Sequence, residues 1–356
     1  MIQDAKGNLL EADAEALVNT VNCVGFMGKG IALQFKQAWP ENFAAYQRAV
    51  RVGDIVPGRM FVYDTGRLVN PRYIINFPTK RHWRGRSRIE DIRSGLGALI
   101  ADVKRLGIRS IAVPPLGCGN GGLDWRVVRP LIVKAFESLP EVSVLLHAPV
   151  GTPNPKRMPV RTSRPNMTAA RALLVKLVHE YLTGTYGLTL LEIQKLAYFL
   201  QISGEPLKLR FEGGHYGPYA ANLNKVLERL EGHFIRGLGD DANPEREIEL
   251  LPGAIDEADA FLSREHVPTE RLDWVSRLIN GFETPYGLEL LSSVHWIATH
   301  PAPGQGMREV IDAMHAWNER KRRLFRDDHM EVAWKHLHEQ GALEAGSPAP
   351  SALSRT

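Results

Sequence analysis

The stretch VNTVNCVGFMGKGIALQFK, residues 18–36, decides the fold class. An apolar run at Ala16–Val21 ends in Asn22, and glycines follow at positions 25, 28 and 30. Ile31, Phe35 and Ala38 then recur at helical spacing. Glycines at a strand-to-helix junction permit positive φ and let backbone N–H groups come close to a phosphate, and the start of the helix adds its positive dipole end. The run matches neither common phosphate fingerprint. Lys29 lacks the spacing and the following Ser or Thr of a P-loop, and the run is not GxGxxG.

A second segment of the same kind, PPLGCGNGGLDW (residues 114–125), follows the β-branched run Ser110–Val113. It leads into a helical pattern over Trp125–Leu139. Two loops that each close a strand and open a helix suit a ligand with two phosphates. Around them Met60–Tyr63, Tyr73–Phe77 and Val142–His147 read as strands, and Gly30–Gln47 and Ile89–Leu106 as helices. This alternation predicts a three-layer α/β/α sandwich on a mostly parallel mixed sheet. Ligands of such folds bind beyond the carboxyl ends of the strands, where both loops fall.

Proline then punctuates the chain at 149, 153, 155, 159 and 165. Downstream the pattern is helical: Ala169–Leu182, a capping box Thr189-x-x-Glu192 opening LTLLEIQKLAYFLQ, then Ala220–Leu230, Thr269–Ile279, Tyr286–Ala298 and Met307–Leu324. The expected organisation is an α/β domain over 1–150 and a proline-rich linker over 151–165. A mainly α-helical domain over 166–345 and a disordered tail over 346–356 complete it.

Bulk properties narrow the function classes. The 356 residues carry only two cysteines, Cys23 and Cys118, with no CxxC pair, which argues against a disulfide framework and a four-cysteine zinc site. Neither a signal peptide nor a membrane-spanning run is legible, so a cytoplasmic protein is expected. The net charge of +4 hides an asymmetry: residues 1–165 hold 24 Lys and Arg against 13 Asp and Glu, whereas residues 166–356 hold 20 against 27. A basic half suits a polyanion and an acidic half suits a basic partner. His329, His336 and His338, spaced seven and two apart, do not all share one helix face. No metal and no cofactor are expected.

Four segments in order carry a family resemblance. GNLLEADAEALVNTVN (7–22) resembles the opening of a macrodomain, the ADP-ribose-binding α/β/α fold. NTVNCVGFMGKGIALQFK (19–36) and PPLGCGNGGLDW resemble its two phosphate loops. MGKGIA with Thr79-Lys80 is similar to the branch of glycohydrolases with a catalytic lysine, and within it to the DarG antitoxins of bacteria, which are paired with DarT toxins that ADP-ribosylate DNA. The resemblance covers roughly residues 1–150. It implies ADP-ribose contacts from Asn8, Leu9, Thr20, Val21, Asn22, Gly28, Gly30, Ile31, Gly117, Cys118, Gly119, Asn120 and Gly121. Most macrodomains carry Asp where this chain has Asn8. The Asn8 carbonyl can still accept from the adenine amino group, without charge assistance. Asn22 corresponds to the asparagine that holds the distal ribose.

Lys80 is the candidate for chemistry. Breaking a glycosidic bond to ribose passes through an oxocarbenium-like state, which an enzyme can capture with its own nucleophile. An amine serves only when deprotonated, and Arg81, Arg84, Arg86 and Arg88 in NFPTKRHWRGRSR (76–88) favour loss of the proton. Substrate phosphates act in the opposite sense. The resemblance implies a transient covalent link to ribose; electrostatic assistance to the departing base is the alternative. Asp124 is a candidate general base for resolving the intermediate, although its loop spacing departs from that of related glycohydrolases.

The same segment interleaves cations with His82 and Trp83, the pattern of single-stranded nucleic-acid binding. His82, Trp83, Arg84 and Arg86 are the expected DNA contacts. The resemblance implies ADP-ribosylated thymidine in single-stranded DNA as substrate; a protein glutamate carrier and a non-enzymatic ADP-ribose reader are the competing readings. The acidic half, with Gln194, Lys195 and Tyr198 on one helix and a turn at Gly217-Pro218, resembles a helical antitoxin domain. These residues are equally readable as ordinary core and turn positions. A DarT-like toxin with a basic DNA groove is the expected partner, met by DNA mimicry.

Overall fold

The computed structural model describes residues 1–149, 159–184, 187–238, 247–300 and 306–343. Most of the expected linker and the whole of the expected tail lie outside them. The chain divides into two compact units, one reaching from Met1 to Arg164 and the other beginning at Pro165.

The first unit is built on a sheet of β1 (Ile2–Ala5), β2 (Ala16–Asn22), β3 (Phe61–Asp64), β4 (Tyr73–Lys80), β5 (Ser110–Val113) and β6 (Ser143–His147). The strand order is β1-β6-β5-β2-β4-β3. Every pairing is parallel except the edge pair β3–β4. Four helices cover it: α1 (Gly30–Ala38), α2 (Pro40–Arg51), α3 (Ile89–Leu106) and α4 (Trp125–Phe136). Alternate residues of the central strands serve opposite layers, as the pleat requires. Val18, Ile75 and Phe77 pack with Ile92, Leu96, Val128 and Ile132 of α3 and α4. Leu17 and Ile74 pack with Phe35 and Trp39 on the other face.

Three departures from expectation have local causes. The helix expected over Gly30–Gln47 is two helices, because Pro40 has no N–H to extend α1 and instead takes the first-turn position of α2. The helix after the second loop ends at Phe136 rather than Leu139. β1 was not expected, since Ile2–Ala5 is a short edge strand with mostly exposed side chains and no apolar run.

The second unit continues with α5 (Ala169–Gly184), α6 (Leu190–Ile202), the hairpin strands β7 (Phe211–Gly214) and β8 (Gly217–Ala220), α7 (Leu223–Leu230), and the short pair β9 (Ile235–Arg236) and β10 (Glu249–Leu250). Then follow α8 (Ala254–Arg264), α9 (Glu270–Ile279), α10 (Pro285–Thr299), α11 (Met307–Trp317), α12 (Glu319–Leu324) and α13 (Asp327–Glu339). One apolar cluster runs through it, with Leu177, Leu196, Phe199, Val275, Leu291 and Met330 among its members. The capping box at α6 forms as expected. The helix expected from Ala220 starts only at Leu223, because Ala220 is committed to β8. The helix expected over Met307–Leu324 breaks at Asn318, an extended residue whose side chain accepts from the Lys321 N–H at 2.8 Å and so caps α12. Among the described residues no helix is long and apolar enough to cross a membrane.

Candidate active site

The first glycine-rich loop is held from its own first residue. β2 ends at Asn22, whose Nδ2 donates to the Phe26 carbonyl at 2.6 Å and whose Oδ1 accepts from the N–H groups of Val24 at 3.0 Å and Phe26 at 3.3 Å. The Tyr46 hydroxyl of α2 donates to the Asn22 carbonyl. Burial holds the Tyr46 phenol above its ordinary range, so it stays a neutral donor. Met27, only 1% exposed, ties the loop into a cluster with Val21, Tyr46 and Ile55. Gly25 and Gly30 take φ of 83° and 58°. α1 begins at Gly30, and the side chain of its N-cap residue, Lys29, does not cap it, an arrangement in which an anion can serve as the cap.

Register brings the two principal candidates together. β2 and β4 pair in parallel, and an irregularity after Val21 sets Asn22 opposite Lys80. Lys80 Nζ in turn donates to the backbone carbonyl of Asn120 in the second loop. One amine thus stands at the carboxyl end of a central strand, beside the residue that organises the first loop and bonded to the second. Asn22, Lys80 and Asn120 are separated by 58 and 40 positions, and only the sheet unites them.

The second loop is tightly folded. Gly117 and Gly122 take positive φ, and the Leu123 N–H donates to the Gly117 carbonyl at 3.0 Å. A Cβ on Gly121 would lie 2.2 Å from the Gly117 carbonyl oxygen and 2.3 Å from Ser87 Oγ, so no other residue fits there. The Ser87 N–H donates to the Gly121 carbonyl at 3.0 Å, which pins the end of the basic segment under this loop. Cys118 is half-buried and its thiol is pushed up to about 11, by burial first and by Asp124 second. Burial likewise raises Cys23. Neither is a ready nucleophile. Asp124 caps α4, accepting from the Arg126 N–H at 2.8 Å, and its carboxylate is paired with the Arg126 guanidinium at 2.7 Å. The hydrogen bonds from Arg126 hold it below the usual carboxylate range.

The basic segment does not act as one field around Lys80. Arg81 turns to Asp91 in the first turn of α3, 3.0 Å away, and that pairing raises its already high pKa. A turn closed by Gly85 N–H to the His82 carbonyl presents Trp83 and Arg84. His82 stacks on Trp83 at 5.5 Å, and the Arg84 guanidinium lies 4.6 Å from the Trp83 ring centre. Trp83 is 43% exposed, so it is not a packing residue of the core. Arg86 is also exposed.

Other expected contacts divide by burial. Asn8 is half-buried, and its Oδ1 accepts from Leu10 N–H at 3.0 Å as the cap of a short 3-10 turn; a carbonyl oxygen retains capacity for a second bond. Leu9 and Val21 are buried in the core and can offer a ligand only backbone. Thr20, Gly28 and Ile31 are half-buried and Gly119 is exposed. Sequence reasoning missed Tyr46, Ser87 and Phe26, and it missed the buried amides Asn19, Asn42 and Asn76. Asn19 Nδ2 donates to Asn76 Oδ1 at 2.9 Å and Asn76 Nδ2 to Asn42 Oδ1 at 2.7 Å, joining β2, β4 and α2 beneath the site. Phe26 had a legible signal: a large apolar residue in a glycine-rich loop.

In the second unit, Gln194, Lys195 and Tyr198 are all within 1% of full burial and serve the fold. Gln194 exchanges two hydrogen bonds with the backbone of Ala220, and Lys195 Nζ donates to the Pro218 carbonyl at 2.8 Å, so α6 grips β8; Gly217-Pro218, expected as a turn, opens that strand, and the turn falls at His215-Tyr216.

The Macro domain family profile matches residues 18–132. A DNA ADP-ribosyl glycohydrolase from Thermus aquaticus is 49% identical over 352 residues, covering 96% of this chain and 94% of that protein. The chain belongs to the DNA ADP-ribosyl glycohydrolase family. It is accordingly a hydrolase, with a macrodomain as its first unit. The solved macrodomain of Mycobacterium tuberculosis DarG is 56% identical, covering 42% of this chain and 99% of that one, with a TM-score of 0.42. A DNA ADP-ribosyl transferase–DNA ADP-ribosyl glycohydrolase fusion protein from Thermosipho africanus is 34% identical over 160 residues, 41% of each chain.

Proposed function

We propose that this glycohydrolase removes ADP-ribose from thymidine in single-stranded DNA, with Lys80 as the nucleophile. The observation that carries the reading is the place of Lys80: opposite Asn22 across β2–β4 and bonded to Asn120 of the second loop. ADP-ribose lies with its diphosphate between the loops and its distal ribose at Asn22, with adenine at Asn8. Neutral Lys80 Nζ attacks the anomeric carbon of that ribose. The C–N bond to lysine forms as the bond to the base breaks, and the base leaves with the bonding pair and takes up a proton. Water then hydrolyses the lysine–ribose link, releasing ADP-ribose and regenerating the amine. His82, Trp83, Arg84 and Arg86 meet the DNA, stacking on bases and pairing with phosphates. Asp124, already committed to Arg126 and to capping α4, is no general base here.

The test compares wild type with Lys80→Ala on an oligonucleotide carrying ADP-ribosylated thymidine and on an ADP-ribosylated glutamate peptide, by mass spectrometry. Wild type restores the oligonucleotide, and Lys80→Ala slows this by about 10³-fold or more. Borohydride captures a lysine–ribose adduct in wild type. An unchanged oligonucleotide sinks the DNA assignment, and a fully active Lys80→Ala sinks the nucleophile.

Residues 1–150 form the catalytic domain and residues 166–345 the domain that neutralises a cognate DarT-like toxin in the cytoplasm. The excess of acidic over basic residues in 166–356 supports this, and the fusion of a DNA ADP-ribosyl transferase to a glycohydrolase in the Thermosipho protein supports pairing with such a toxin. DNA mimicry predicts a toxin complex of the full chain that weakens about tenfold or more as salt rises from about 0.05 to 0.5 M. Affinity that ignores salt excludes mimicry.

A further inference from the structure

Phe26 helps to hold the first phosphate loop through its backbone alone, and its ring is left to the surface. Phe26 is 48% exposed, while its neighbour Met27 is buried and anchors the segment. A single exposed apolar residue is ordinary, but Phe26 adjoins Trp83, 43% exposed, and a contiguous exposed aromatic patch marks an interaction surface. The Phe26 backbone is clamped at both polar groups by the Asn22 amide, which fixes where the ring stands. The ring faces Trp83, with centroids 6.1 Å apart and planes inclined by 56°. The two rings are too close to sandwich a base, which needs roughly 3.4 Å of clearance on each face. They form instead two adjoining exposed rings inclined to one another, with the Arg84 cation over the Trp83 ring.

We propose that Phe26 and Trp83 together form the stacking surface for the base that flanks the modified thymidine, and that Phe26 sets the preference for a DNA strand over a lone nucleoside. This deepens the proposed function and rests on its DNA reading. One ring comes from the loop that Asn22 organises opposite Lys80, and the other from three residues beyond Lys80, so the surface adjoins the reacting centre. A flat ring matches a nucleobase and the adjacent cation its phosphate, whereas a glutamate side chain offers neither. Because the Phe26 backbone is pre-set, stacking orders little that was free.

The experiment measures kcat/KM of full-length wild type, Phe26→Leu and Phe26→Tyr on two substrates, a single-stranded oligonucleotide carrying ADP-ribosyl-thymidine and the ADP-ribosylated thymidine nucleoside. Phe26→Leu, which keeps bulk and apolarity, lowers the oligonucleotide-to-nucleoside ratio about tenfold through KM, and Phe26→Tyr restores it. A ratio unchanged in Phe26→Leu, or equal losses on both substrates, overturns the stacking role. Wild type that cleaves an ADP-ribosylated glutamate peptide but neither thymidine substrate overturns the DNA reading itself, and this is read before any variant is made.

Discussion

The two units bury polar groups in opposite ways. In the first, the buried network under the site is made of neutral groups, the amides Asn19, Asn42 and Asn76 and the Tyr46 phenol, and the buried Asp91 is paired with Arg81, which reaches the surface. In the second, Glu289 and Lys321 lie inside the core, joined to each other at 2.9 Å, with Arg320 reaching Glu289 at 2.6 Å. Lys195 of α6 and His295 of α10 are buried as well. Burial would raise the Glu289 carboxyl, but Arg320 and Lys321 outweigh it and hold it low. Lys195 is pushed down to about 7, by burial and then by Lys321. Amides can lock a site without changing charge, whereas buried ions make a scaffold answerable to pH and to the loss of any partner.

The sharpest way to break this contrast is Glu289→Gln. Removing the one anion leaves Lys321 and Arg320 uncompensated, and the second unit should lose about 3–5 kcal/mol in urea unfolding. ADP-ribose affinity should hold in conditions where both units stay folded. A loss under about 1 kcal/mol would mean that the ions are not mutually dependent. Next is acid. His295 Nε2 donates to the Ala342 carbonyl at 3.0 Å, so Nδ1 accepts from Tyr198 at 2.8 Å, and burial pushes the imidazole down to about 4. The unfolded chain takes up the proton below about 6.5 and the folded one does not, so stability is full above that pH and is lost as pH falls towards 4. The loss is on the order of 3 kcal/mol, read as a falling Tm of the second unit, and His295→Gln should flatten it. A slope that survives His295→Gln would place the acid sensitivity elsewhere. The smallest effect belongs to Asp124→Asn, which preserves the helix cap and should leave hydrolysis within about twofold of wild type. A tenfold loss there would restore Asp124 as a base.

Much of the first unit was legible because its central strands are apolar runs and its long helix has clean periodicity, with Ile89–Leu106 read to the residue. The second unit was harder. FEGGHYGPYA contains a hairpin that glycine and proline disguise as a turn, and α8 and α13 bury narrow stripes, Ala254, Ala258 and Leu262 in one and Met330, Ala333 and Leu337 in the other, in which alanine gives a weak apolar signal. At the site, the residue types were readable but their meeting was not. That Lys80 stands opposite Asn22 depends on a register irregularity, and no periodicity in either strand announces it. Phe26 went unread because attention to glycine in a phosphate loop passes over the apolar residue between.

Gly121 carries a consequence beyond geometry. Its backbone is so closely packed that a methyl group cannot be added, so the residue following Asn120 must remain glycine. Asn-Gly is also the pair in which the next backbone nitrogen most easily closes on the side-chain amide, expelling ammonia and yielding, after water is added, an isoaspartate with one more carbon in the main chain. In this chain the ageing would strike the residue whose carbonyl receives Lys80. It would lengthen the second loop by an atom and set a negative charge where we propose that the diphosphate lies. The second loop therefore carries a residue pair open to ageing, and no substitution at Gly121 can remove it.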